Sequence, residues 1–309
     1  MPGLGSVGIR SQASEINVAK GGSTALFVDK SAINASDKND GYSWSRPKLT
    51  IGSALDYDEP WMEIYIRGGV YQENVLLEYE NVHIIGVVQA GANRVEISPL
   101  SGVPFTSNVG YAEVSGVALV ATNASACVLS GPGHDIHDIY AEVNSDGVLS
   151  HSCISLDDCD NANIHHSHFN GMSGEDTIGV LVDGTINPSV DVLIGDSYFQ
   201  DIGAPGVVGQ AVTLDNAQRA LITRNIFDSG YTGVYCEVQA NSLHTIAFNQ
   251  FYNNINYDVY DANPDASVGG NRILNNFYGY TGWYDDVNND NISDYPIVAG
   301  VDNWDYAPL

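Results

Sequence analysis

Apolar and polar positions recur through the second half of the chain in one order: an apolar residue, another eight positions on, Ser or Asn three further, and Phe or Ile two beyond that. Leu156, Ile164, Ser167 and Phe169 carry it first, then Ile186, Ile194, Ser197 and Phe199, then Leu214, Ile222, Asn225 and Phe227. Val238, Ile246, Asn249 and Phe251 follow, and after them Tyr260, Val268, Asn271 and Ile273. The closing residues lie 30, 28, 24 and 22 positions apart, so the period varies while the internal spacing does not. Short fixed strands joined by loops of variable length are the signature of a solenoid. The spacing of five between the last two apolar positions is odd, whereas inward residues of one straight strand sit an even number apart. A bend is therefore predicted between them, at the Ser/Asn position. Asn tolerates left-handed backbone angles and its amide both donates and accepts, so Asn225, Asn249 and Asn271 are expected to stack as a ladder, extended by Ser167 and Ser197.

Before residue 150 the segments IYI (64–66), VHIIG (82–86), VEI (95–97) and VSGVALV (114–120) are short and β-rich, with Gly, Asn and Pro between them, and read as earlier coils. About ten coils at ~4.8 Å spacing give a rod roughly 50 Å long. Thr50 is placed to N-cap a short helix whose Ile51, Ala54 and Leu55 share one face, a lid for the front of the rod. The fold class expected is all-β: a single-stranded right-handed parallel β-helix with a short N-terminal capping helix and a C-terminal calcium-loop cap. Residues 1–22 are read as a docking or oligomerisation segment, 23–277 as the β-helix and 278–309 as the cap.

Charge narrows the partners. Thirty-eight acidic against 11 basic residues give a net charge of −27, and no lysine follows Lys48. Such a surface repels nucleic acid and anionic lipid, so neither nucleic-acid binding nor membrane insertion is expected. It fits a calcium-rich or saline medium, whether in a salt-adapted microbe or simply outside a cell. Residues 1–22 hold no apolar run resembling a signal-peptide core, and no stretch reaches transmembrane length. Cys127, Cys153, Cys159 and Cys236 lack zinc-type spacing; buried thiols and a disulfide both remain open.

The runs FVD (27–29), NASDKNDG (34–41), WSRPKLTIGSAL (44–55) and IYIRGGVYQENV (64–75) resemble the opening of the pectin-lyase-like β-helix superfamily, in the versions found in phage tail spikes. The tail, NNFYGYTGWYDDVNNDNISDYPI (275–297) and DNWDYAPL (302–309), resembles β-helix proteins of the nitrous-oxide-reductase-maturation type. That second resemblance implies copper, but three methionines and no Met/His cluster do not support it. The superfamily carries lyases, hydrolases, esterases and inert spikes, so the resemblance speaks for fold more than function.

Several constellations carry candidate chemistry. Asp286, Asn288, Asp290, the carbonyl of Ile292 and Asp294 fall at positions 1, 3, 5, 7 and 9 of an EF-hand-like loop, which predicts Ca2+ binding; Ile297 stands where the bidentate Glu would be. DKNDG (37–41) reads as a plain acidic turn. His134, His137, His165, His166 and His168 cluster without ligand spacing and read as surface decoration. Asp157, Asp158 and Cys159 echo the paired aspartates of polygalacturonases, but their companion segments are missing. Arg219 and Arg224 are the only central candidates for a lyase base, and GVYQENV resembles the start of pectin esterases without their later catalytic segments. Asn34, Asn123 and Asn291 are glycosylation sequons.

No catalytic set is complete, so the first functional reading is a non-enzymatic virion surface protein: a spike, turret or fibre of a virus infecting a salt-adapted microbe. Its expected partners are a second copy of itself in a homo-oligomer, other virion proteins, and a host surface glycan or glycoprotein held by the 170–190 and 200–210 insertions. The alternatives are a polysaccharide-cleaving β-helix enzyme and a cell-surface adhesion module.

Overall fold

A computed structural model describes residues 24–57, 59–87, 94–144, 150–171, 177–203, 209–237, 243–262, 271–278, 284–286 and 292–293. The chain winds through three parallel sheets in turn, as in Asp135–His137 on the first face, Tyr140–Asn144 on the second and His151–Asp157 on the third. Among the described residues the first face stacks eleven strands and the other two nine each, every pairing parallel and each joining one coil to the next. At ~4.8 Å per strand the first face spans ~48 Å, close to the expected length. This is the right-handed parallel β-helix predicted.

Side-chain alternation sends every second residue inward, as in Met62–Arg67, where Met62, Ile64 and Ile66 are buried and their neighbours are not. Because pairing is in register, inward residues form lanes along the axis. Ile136, Ile164, Ile194, Ile222, Ile246 and Ile273 make one such lane on the first face. Phe169, Phe199, Phe227 and Phe251 make another on the second, with ring centroids 4.7, 4.9 and 4.8 Å apart. Aromatic contacts of this kind add about 0.5–1.5 kcal/mol per pair beyond burial.

The predicted bend sits between these two lanes. Asp138, His166, Asp196, Arg224 and Phe248 occupy successive rungs there with φ of 53°, 51°, 50°, 57° and 61°. One left-handed residue redirects the strand, and the next side chain, Ile139 on the first of these rungs and Ser or Asn on the others, turns into the rod. Asn225 N donates to Asn249 Oδ1 at 3.0 Å, Ser197 N to Asn225 Oδ1 at 3.0 Å, and Ser167 N to Ser197 Oγ at 3.1 Å. Each step satisfies a buried backbone N–H that the bend leaves without a strand partner.

The last member of this ladder corrects the sequence reading: Asn249 N donates to Asn276, at 2.9 Å, and not to Asn271. Asn271 lies at the bend between the third and first faces, where its Oδ1 accepts from His244 N at 2.9 Å. The final repeat departs from the pattern because Ile273 pairs with Ile246 on the first face, and the residue that pairs with Phe251 is Tyr278, five residues later. The opening position of the repeat also shifts. Val182 and Cys236 follow Leu156 and pair in register with Leu214, whereas Ile186 is 81% exposed, Tyr260 lies in the outward lane beside Tyr235, and Val238 is outside the described residues. The loop before the first face differs in length from coil to coil, so a fixed spacing of eight could not hold across it.

At the front, Ile51–Leu55 forms the predicted helix, with Thr50 accepting from Ser53 N at 3.2 Å and with Ile51 and Ala54 buried. The esterase-like run GVYQENV has a structural task here. Glu73 accepts from Ile51 N and Gly52 N at 3.1 and 2.9 Å, and the Tyr71 hydroxyl donates to Arg67 O at 2.9 Å. Asp37 accepts from Leu49 N, Thr50 N and Thr50 Oγ1, so DKNDG is a turn that holds the helix entry. All four cysteines are buried free thiols. Cys127 and Cys153 are offset by one position, since Cys127 pairs with Ile154. Residues 1–22 lie outside the described residues, as do Asn288, Asp290 and Asp294 of the calcium loop. Asp286 and Ile292 are described only as the ends of strands on the third and first faces.

Candidate functional site

The densest chemistry on the rod is an outward lane at the end of the third face. Asp157 pairs with Asp183; Val182 pairs with Leu214 and Leu214 with Cys236, which sets Asp215 and Glu237 on the next two rungs. Four half-buried carboxyl groups thus stack along the axis, one per rung, outside an inward lane of Leu156, Val182, Leu214 and Cys236. Beside them runs a second outward lane in which Tyr235 and Tyr260 stack at 5.4 Å between centroids. Aromatic faces next to carboxyl groups can receive the apolar face of a sugar ring while the acids reach its hydroxyls.

Like charges one rung apart disfavour simultaneous ionisation. Burial raises the Asp183 carboxyl, the Gly184 N–H pulls against it, and Asp215, Asp157 and Asp158 push it up further. Glu237 is raised by burial and then by Asp215 and Asp183. A carboxyl group whose pKa is raised by burial and by neighbouring acids is suited to proton donation.

The adjacent pair Asp157 and Asp158 does not act as a pair. Asp157 faces outward on the third face, whereas Asp158 turns away with φ 53°. Asp157 Oδ1 accepts from Thr185 N at 3.0 Å, and Asp158 Oδ1 from Ile186 N and Asn187 N at 3.1 and 3.0 Å, so both clamp the neighbouring turn. Neither lyase candidate reaches this face: Arg219 forks onto Asp191 at 2.7 and 2.8 Å, and Arg224 onto Asp196 at 2.7 and 2.6 Å.

The histidines divide. His134 is buried, a correction to its reading as decoration: its Nδ1 accepts from Ala112 N at 3.3 Å, and burial lowers its pKa. His137 and His165 stack outward on the first face at 5.0 Å. Burial opposes charge on His137, but the hydrogen bonds its ring donates to the Asp138 and Glu113 carboxylates outweigh it and raise its pKa. Among the described residues no three His, Cys, Asp or Glu side chains converge as a metal site, and no helix is long and apolar enough to cross a membrane.

The carboxyl lane escaped sequence reading because its members are a whole coil apart and in register only once loop lengths are known. The one available signal was the recurrence of an acid directly after an inward residue, as in Leu156–Asp157, Val182–Asp183 and Leu214–Asp215.

Coil topology, inward Phe and Asn lanes and parallel sheets stacked rung upon rung together define a parallel β-helix. The structure is similar to pectin methylesterase PemA from Erwinia chrysanthemi, with a TM-score of 0.50 and 12% identity, over 87% of this chain and 92% of that one. It also matches pectate lyase Pel9A (TM-score 0.40, 13% identity, 87% of this chain and 80% of that one). PfbA, a surface adhesin of Streptococcus pneumoniae, matches at a TM-score of 0.33 and 15% identity, over 73% and 72%. No protein-family model matches the sequence, and no curated protein does. At such identities the likeness is one of fold.

Proposed function

We propose that the protein is a polysaccharide-cleaving β-helix enzyme acting by acid and base at the carboxyl lane of the third face. The observation that carries this reading is the stacking of Asp183, Asp215 and Glu237 on successive rungs with Asp183 and Glu237 raised. Asp183 would donate the proton to the leaving glycosidic oxygen, and Asp215, one rung away, would attack the anomeric carbon as a carboxylate. A rung spacing of ~4.8 Å is near the ~5–5.5 Å separation of retaining glycosidases, so retention is the expected stereochemistry. Four acids in one lane and a net charge of −27 favour a neutral polysaccharide over a polyuronate.

Reducing-end release from neutral polysaccharides tests this, with Asp183→Asn and Asp215→Asn each expected to lower turnover by roughly 10²–10⁴-fold. Absence of turnover on neutral and acidic polymers alike would return the molecule to a display role. The virion-surface reading shares the same rod and differs in where it is mounted and whether the third face cleaves. Proteomics of purified particles against cell envelopes separates those settings. Calcium at Asp286, Asn288, Asp290, Ile292 and Asp294 remains a proposal from sequence, tested by calcium-titrated thermal unfolding.

A further inference from the structure

Across the coil from the third face, a groove runs along the rod at the bend between the first and second faces. Its volume is about 780 Å³, within the range of small-ligand sites. Two outward lanes make its walls. One is the left-handed lane of Asp138, His166, Asp196 and Arg224; the other, two residues on in each coil, is Tyr140, His168, Tyr198 and Ile226, held in register by strand pairing. Between them the buried Ile139, Ser167 and Ser197 form the floor.

The second wall is an aromatic ladder. His168 meets Tyr140 edge-on at 5.2 Å and Tyr198 at 5.0 Å, and the Arg94 guanidinium lies over the Tyr140 ring at 4.5 Å. Burial holds the His168 pKa below the ordinary imidazole range, with Gln200 opposing, so the ring is neutral near pH 7. Its Nε2 has no hydrogen-bond partner among the described residues.

Charge decides the kind of occupant. Arg224 is already forked onto Asp196, and Arg94 is paired with Glu96 at 3.3 Å. The cations at the groove are thus neutralised by the protein's own carboxylates, and the overall charge of −27 repels a polyanion. What remains is a row of ring faces and edges and fixed planar hydrogen-bonding pairs, repeating every ~4.8 Å along the axis. That surface matches a chain of uncharged rings bearing hydroxyl groups.

We propose that this groove is a second, non-catalytic site that binds a neutral oligosaccharide lying parallel to the rod axis. It uses none of the residues assigned to cleavage and does not depend on cleavage occurring. Its bound chain would stack on Tyr140 and Tyr198 and hydrogen-bond the Arg224–Asp196 pair.

The test is calorimetric titration of the full chain with cellohexaose, xylohexaose, mannohexaose, maltohexaose and hexagalacturonate. At least one neutral hexasaccharide is expected to bind. Its affinity should fall tenfold or more in a Tyr140→Ala, Tyr198→Ala double variant and stay unchanged in an Asp183→Asn, Asp215→Asn variant. If the aromatic variant fails to fold, Ile226→Trp, which fills the groove from an outward position, replaces it with the same expected loss. Binding of hexagalacturonate alone, of no neutral sugar, or binding that survives both groove variants overturns the proposal. Loss confined to the Asp183 and Asp215 variant would place the sugar on the third face, overturning the groove while leaving the cleavage reading intact.

Discussion

Asn249 holds Asn225 from below: its Oδ1 accepts both the backbone N–H of Asn225 at 3.0 Å and the side-chain amide at 3.2 Å. Its own Nδ2 donates to Ile222 O at 2.9 Å. One buried amide therefore completes the bend of the coil before it. Asn249→Ala leaves the buried N–H of Asn225 without its acceptor, and is expected to destabilise the rod by about 1–3 kcal/mol in urea unfolding. A loss under ~0.5 kcal/mol would show that the ladder is incidental to stability.

Phe227 stacks between Phe199 and Phe251, at 4.9 and 4.8 Å, and is 1% exposed. Phe227→Ala opens a cavity between two rings that are fixed by strand pairing and cannot close on it, so the cost should be about 3–5 kcal/mol. Phe227→Leu should cost clearly less, and denaturant midpoints for the two variants give the comparison.

His244 is buried at the bend before the first face, where Nδ1 accepts from Ala220 N at 3.1 Å and burial lowers its pKa to about 4. The unfolded chain binds its proton near pH 6.5, so stability is full above that pH and is lost as pH falls towards about 4, by about 3 kcal/mol in all. His244→Asn keeps an acceptor at this position, as Asn271 does one rung on, and should flatten this part of the profile. Thermal unfolding from pH 4 to 8 reads it, and an unchanged slope in the variant would remove His244 as the cause.

Asp258 works in the opposite sense. Burial raises its carboxyl to about 7, against the hydrogen bond from Asn254 Nδ2 at 2.7 Å, and Oδ2 has no partner among the described residues. The protonated form fits the folded chain, so its contribution is present below the unfolded pKa and is lost as pH rises through about 7. Asp258→Asn preserves the acceptor for Asn254 and should add about 1–3 kcal/mol more at pH 8 than at pH 4, near the ordinary carboxyl value of 3.8. Equal effects at both pH values would argue against an ionised buried carboxylate.

Much of this fold was readable from residue order. The Ile-x-x-Ser/Asn-x-Phe segment is local, spanning one bend between two strands, and steric rules for left-handed turns constrain it, so Ile164, Ser167 and Phe169 and their counterparts through Phe251 were placed correctly. Asn271 was misplaced because two asparagines five residues apart, Asn271 and Asn276, both satisfy a bend, and only strand pairing of Ile273 with Ile246 tells them apart. Ile186 failed for the same reason, since it sits on a turn held by Asp158 rather than on a strand. The carboxyl lane and the groove are relationships between coils. Their members are brought together by loop lengths that no short motif encodes, which is why His168 looked like decoration beside His165 and His166.

Regular pairing from one rung to the next makes the coil a replaceable unit. Copying residues 200–227 whole, from Gln200 through Phe227, would repeat Ile222, Asn225 and Phe227 in phase and lengthen the molecule by ~4.8 Å without altering what lies on either side. The distance between the two ends can therefore be adjusted like a ruler, by addition or deletion of complete turns, while the carboxyl row on one side and the aromatic row on the other lengthen or shorten in step.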